Sequence, residues 1–230
     1  VRRFAMEDAA FLLRFEPKLL VVACNTASAA AIHAICGVST VPVVDVISPG
    51  VEAALSITDG GIGVVATEAT VRSGAYQRAL QQADPKRDVL AVACPLLVPI
   101  VEEGRAEDDP IVNHVLCDYL HSLQRMRPGA LILGCTHYPL LSEAIGKLMG
   151  PETQLISSGA AATEEVKRLL KEKNQHNPCA TGGQLHCYTT DNPQRFAALA
   201  ERFGGRAVDQ VEYVGTDELE ALTVSTDSQA

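Results

Sequence analysis

The sequence has no run of apolar residues approaching the ~20 that a helix needs to cross a bilayer, so no helical membrane span is expected. It also lacks an excess of base: 19 Lys and Arg stand against 28 Asp and Glu, a formal net charge of −9. Surfaces that grip nucleic acid or anionic membranes need surplus Lys and Arg, and neither partner is expected here. Disulfide spacing is missing too. The seven cysteines are an odd number, thinly spread, with no Cys-x-x-Cys pair, which argues against a secreted disulfide scaffold and for a reducing, cytoplasmic compartment. Cys135-x-His137 lacks the paired spacings of a zinc site, so no metal is expected. The opening VRRFAMEDAAFLLRF is no secretory leader, because Glu7, Asp8 and Arg14 interrupt any apolar stretch.

What is present reads as an ordinary globular chain of 230 residues, 47% apolar and 20% charged. Phe4, Ala5, Ala9, Phe11 and Leu12 read as the apolar face of a helix already under way at Val1, as though an upstream piece were absent. Short Val/Leu/Ile-rich runs at 19–23, 41–46, 62–66, 88–93, 130–133, 153–156 and 184–190 read as buried parallel strands. Helical stretches lie between them: one opened by Ser48-Pro49 as cap and first residue, others over 70–81, 109–126, 139–149, 160–173 and 192–203. Such alternation predicts open α/β sheets with helices on both faces. The polar tail LTVSTDSQA is expected to fray.

Two stretches organise this pattern. LVVACNTASAA (20–30) and LILGCTHYPLL (131–141) each run an apolar strand into a cysteine just before a helix-prone segment. The echo suits two similar α/β halves, and ligands collect at the carboxyl ends of strands in such sheets. Facing halves would set Cys24 and Cys135 on opposite walls of one cleft. A thiol just ahead of a helix N-terminus is expected to have a lowered pKa. Asn25, Thr26, Thr136 and His137 add amide, hydroxyl and imidazole groups that can hold a carboxylate or tune the thiol. One facing thiol can remove a proton while the other returns it on the opposite face, which inverts a stereocentre by general acid–base catalysis.

Other candidates have plainer accounts. Cys36, Cys94, Cys117, Cys179 and Cys187 read as packed small hydrophobes, and His33, His114 and His121 as solvated or packed helix residues. The stretch DGGIGVV (59–65) is glycine-rich but precedes a strand, the wrong order for a dinucleotide fingerprint.

VVACNTASA and LILGCTHYPLL resemble the two signature motifs of the glutamate racemases, in the aspartate/glutamate racemase superfamily. VPVVDVISPGVEAA (42–54), GVVATEATVRSGAY (63–76), CPLLVPIVEEG (94–104) and LHCYTTDNPQRFAALAERFGG (185–205) follow in the family's order. The resemblance implies two Rossmann-like or flavodoxin-like domains with mostly parallel sheets and the active site between them. It implies one domain from 1–51 and 159–230 and a second from 52–158. It further implies cofactor-free interconversion of L- and D-glutamate, which supplies peptidoglycan synthesis, by a cytoplasmic homodimer. Cys24 matches the thiolate serving D-glutamate and Cys135 the one serving L-glutamate. Asn25, Thr26, Thr67, Thr70, Thr136 and His137 match substrate contacts, with His137 also assisting Cys135. Glu103 matches an auxiliary carboxylate on the Cys135 side, with adjacent Glu102 the rival register. Thr67 could equally be a simple helix cap, and either glutamate a solvated charge.

Three departures qualify the match. The family's Asp-Ser-Gly and Pro-Tyr-Gly motifs do not occur in the sequence, and Ser157 stands where Asp is usual. A shortened, impaired chain that only binds an acidic amino acid is therefore one alternative expectation; a racemase for aspartate is another. A non-enzymatic partner role, the gyrase inhibition reported for some members, is supported by nothing in this acidic sequence.

Overall fold

The structure, a computed structural model, describes residues 1–179 and 182–227. In chain order the elements are α1 (Arg2–Leu13), β1 (Leu20–Val22), α2 (Asn25–Val38), β2 (Val43–Asp45), α3 (Ile47–Ile57), β3 (Ile62–Ala66), α4 (Glu68–Ser73), α5 (Ala75–Ala83), β4 (Val89–Ala93) and α6 (Leu97–Glu102). There follow α7 (Pro110–Met126), β5 (Ala130–Gly134), a 3₁₀ turn (Tyr138–Leu141), α8 (Ser142–Met149), β6 (Gln154–Ser157), α9 (Ser158–Glu172), β7 (His186–Thr189), α10 (Pro193–Gly204), β8 (Gln210–Tyr213) and α11 (Thr216–Asp227). This is the α/β alternation expected, with parallel pairing throughout the described strands.

The central sheet has the order β4-β3-β5-β6; β1-β2 and β7-β8 form separate two-stranded sheets. Every residue of β3 and β5 is buried, because helices cover both faces of a parallel sheet. Alternation along the strand divides the core. Val65, Leu131 and Leu133 face Leu116, Leu120 and Leu123 of α7, while Ile62, Val64, Ala130 and Ile132 face Val51 and Ala54 of α3 and Leu80 of α5. Truncating one of these leucines to Ala costs ~2–5 kcal/mol.

Local structure corrects several sequence expectations. Ser48 does not cap α3: Asp45 Oδ1 accepts from the N–H of Ile47 at 2.6 Å and of Ser48 at 2.9 Å, so the helix starts earlier. The helix expected over 70–81 is two, broken at Gly74, whose φ of +68° suits the left-handed region that only glycine enters cheaply. The stretch 139–149 opens as a 3₁₀ turn before becoming α8. In α1 the buried residues are Glu7, Ala9 and Phe11, whereas Phe4 and Leu12 are exposed. Strand β8 was unforeseen, being four residues long and mostly exposed. The tail expected to fray is helical through Asp227, and its last three residues lie outside the described ones. Of the five cysteines read as packed hydrophobes only Cys94 is buried; Cys36, Cys117 and Cys179 are exposed and Cys187 is intermediate. His33, His114 and His121 are solvated. Among the described residues no helix is long and apolar enough to cross a membrane.

Candidate active site

The carboxyl ends of β3, β5 and β6 point the same way, since all three are parallel and in register. Thr67 follows β3, Cys135 follows β5 and Ser158 follows β6. Cys24 follows β1 of the β1–β2 sheet and is the N-cap residue of α2. Side chains join the β1–β2 sheet and its α2 to the central sheet. Thr26, Thr67 and Thr70 form a triangle of hydroxyls 2.9 to 3.0 Å apart. Thr67 also caps α4 by accepting from the Thr70 N–H at 3.3 Å, so the cap reading and the site reading hold together. Asn25 donates through Nδ2 to Tyr76 Oη at 2.7 Å and to Ser158 Oγ at 3.1 Å.

The two thiols differ in environment. Cys24 is exposed and Cys135 is only 7% exposed. Burial pushes the Cys135 thiol up to about 11; N–H groups of His137 and Tyr138 offset part of this, and a charge on Cys24 adds to it. The lowered value expected from helix position is thus overturned at Cys135: desolvation outweighs the local amides. Peptide-mass mapping after brief iodoacetamide treatment at pH 8 is expected to find Cys24 alkylated at least ~100-fold faster than Cys135, since only ~0.1% of a thiol at 11 is ionised there. Equal rates would refute this asymmetry.

Cys94, at the end of β4, is likewise pushed by burial to about 12. A folded-state value raised above the unfolded ~8.5 gives stability that is complete below that pH and lost as pH rises through 11 and 12. Melting temperature is therefore expected to fall steadily above about pH 9, and less steeply in Cys94→Val. A melt independent of pH up to 11 would contradict it.

His137 lies beside Cys135, with Nδ1 at 3.8 Å from Sγ. Its Nε2 is 3.4 Å from Oε1 of Glu102. An ionised carboxylate only accepts, so it favours the tautomer with Nε2–H, which leaves Nδ1 as an acceptor facing the thiol. Helix α10 braces this pair: Arg195 approaches Glu102 Oε2 at 3.5 Å, Arg202 donates to the Glu102 carbonyl at 2.6 Å, and the Phe203 ring meets His137 edge-on at 5.2 Å. Glu103, the expected carboxylate, turns instead to solvent and Arg105 at 3.3 Å. It follows the last residue of α6, one position past the face that looks at His137. Thr136 is exposed at the turn after Cys135.

Ser157, the departure from the usual Asp, caps α9 by accepting from the Ala160 N–H at 3.3 Å. Ser and Asp serve nearly equally well at an N-cap, which accounts for the exchange. Sequence reading missed Tyr76, Ser158, Arg195, Arg202 and Phe203. LISSG could have flagged Ser158 as a hydroxyl at a strand end; the α10 residues carry no local signal of their contact. Among the described residues no three His, Cys, Asp or Glu side chains gather as a metal site.

The sequence profile of the family described as Asp/Glu/Hydantoin racemase matches residues 5–166. A glutamate racemase of Thermus thermophilus is 45% identical over 219 residues, 95% of this chain and 80% of that protein. The crystal structure of glutamate racemase isoform RacE1 from Bacillus anthracis superposes with a TM-score of 0.88 at 36% identity, covering 94% of this chain and 80% of that one. The glutamate racemase of Francisella tularensis, solved in complex with D-glutamate, gives 0.86 at 34% identity with the same coverage.

Proposed function

This chain belongs to the Asp/Glu/Hydantoin racemase family, and from that membership we propose that it interconverts L- and D-glutamate with two thiols as acid and base. One observation supports the mechanism: Cys24 and Cys135 follow strands of separate sheets, yet Thr26, two residues after Cys24, bonds at 2.9 Å to Thr67 at the end of β3, the strand paired with the one that precedes Cys135. The carboxyl groups of the substrate find donors in the free N–H groups at the start of α2, a helix end held in place by the Thr26, Thr67 and Thr70 hydroxyls.

With L-glutamate, the Cys135 thiolate takes the α-proton and becomes a thiol. The S–H of Cys24 then protonates the opposite face, leaving a thiolate at Cys24 and D-glutamate. The reverse reaction starts from that state. His137 receives the Cys135 proton at Nδ1 and Glu102 stabilises the resulting imidazolium. Burial makes the Cys135 thiolate hard to form and correspondingly basic once formed, which suits a weakly acidic α-proton.

In the same reading residues 52–158 are one α/β domain and 1–51 with 159–230 the other, in a cytoplasmic homodimer that supplies D-glutamate for peptidoglycan. Segregation of β3 to β6 into one sheet supports that division. The test is to incubate the chain with L-glutamate, without added cofactor, and follow optical activity to zero. Optical activity that never decays would sink the proposal.

A further inference from the structure

Asn25 follows Cys24 directly, and Leu133 lies two residues before Cys135. A buried chain of hydrogen bonds joins them. Ser158 Oγ donates its single proton to the Leu133 carbonyl at 3.1 Å. Its link to Asn25 at 3.1 Å therefore needs a donor on the asparagine, which fixes the orientation of the amide. The other Nδ2 proton goes to Tyr76 Oη at 2.7 Å. Asn25, Tyr76 and Ser158 are 2%, 1% and 1% exposed, so water does not compete for these bonds.

The backbone is shaped for this arrangement. A Cβ on Gly134 would lie 3.0 Å from the Tyr76 ring, so glycine just before Cys135 lets the phenol pass beneath the strand end. The four groups come from α2, α5, β5 and α9, and of these four only Asn25 belongs to the β1 side.

Resting on the racemase reading above, we propose that Tyr76 and Ser158 are positioning residues that hold the Asn25 amide and thereby fix where Cys24 stands relative to Cys135. Neither touches the reacting atoms. Their effect runs through geometry, where a misplacement of about 1 Å costs on the order of a hundredfold in rate.

The test compares Ser158→Ala, Tyr76→Phe and Thr153→Val in the full chain. Thr153 is a control of the same kind, a buried hydroxyl donating to a backbone carbonyl at 2.8 Å, but at the opposite end of β6. In the unaltered chain the Asn25 side-chain N–H₂ signals, assigned by their loss in Asn25→Asp, are expected to exchange slowly with solvent. Ser158→Ala and Tyr76→Phe are expected to speed that exchange at least ~10-fold. Both are also expected to lower kcat ~10–100-fold in each direction, with KM changed less than about threefold and a larger isotope effect for α-deuterated glutamate. Thr153→Val is expected to lower melting temperature only. If Ser158→Ala behaves like Thr153→Val in exchange and kcat, the role is merely structural and the proposal is overturned. A chain without turnover refutes the racemase reading instead, and amide exchange alone then decides whether Tyr76 and Ser158 hold Asn25.

Discussion

Replacing either Cys24 or Cys135 with alanine is expected to lower glutamate racemisation by at least about a thousandfold in both directions. Each thiol supplies a general acid or base step worth ~10²–10⁴, and its neighbours cannot substitute. Thr26 and Thr70 hydroxyls are engaged with Thr67, and His137 Nδ1 is directed at the Cys135 sulfur, 3.8 Å away. The two enantiomers have equal free energy in water, so kcat/KM must fall equally for L- and D-glutamate in any variant. The variants should separate in exchange. Cys24→Ala keeps the Cys135–His137–Glu102 chain, so L-glutamate still trades its α-proton for deuterium in D₂O without inversion, while D-glutamate does not. Cys135→Ala should show the reverse preference. Proton NMR of the Cα–H signal together with polarimetry reads both quantities. Racemisation above a tenth of the parental rate in either variant would rule out the two-thiol scheme.

Glu102→Gln should lower kcat ~10–100-fold, whereas Glu103→Gln should stay within about twofold. The reason is a tautomer. Glutamine at 102 can turn its amide N–H₂ toward His137 Nε2, which then becomes the acceptor and leaves the proton on Nδ1. An Nδ1–H facing Cys135 at 3.8 Å cannot take the thiol proton. The change also leaves Arg195 without its carboxylate partner. Glu103 already faces solvent with Arg105, and such exposed pairs contribute little. Steady-state kinetics on the two variants decides the matter, and a larger loss at position 103 would reverse the assignment.

This pair of adjacent glutamates shows where sequence reading stops. VEEG offers two carboxylates one position apart, and at the end of a helix one step turns a side chain by about 100°. Which of them meets His137 depends on where α6 ends and how α10 packs over it, and neither is a local property. The thiols show the same limit in another form. Both follow apolar strands and look equivalent in sequence, yet one is exposed and the other buried. Burial of Cys135 comes from Tyr138, Leu141 and the helices around them, so its raised pKa was invisible to a reading of helix position alone.

The sequence by itself determined the alternation of strand and helix and the placement of Cys24, Thr67 and Cys135 at strand ends; it read all seven apolar runs as buried, and only β3 and β5 are wholly so. These follow from patterns within a few residues: apolar runs bounded by turn formers, and cap residues ahead of helices. Only the tertiary structure decided that Glu102 reaches His137, that desolvation governs Cys135, and that Tyr76 and Ser158 hold Asn25. Each depends on groups from separate elements meeting where water is excluded, and there a neighbour's charge or a single proton outweighs local propensity.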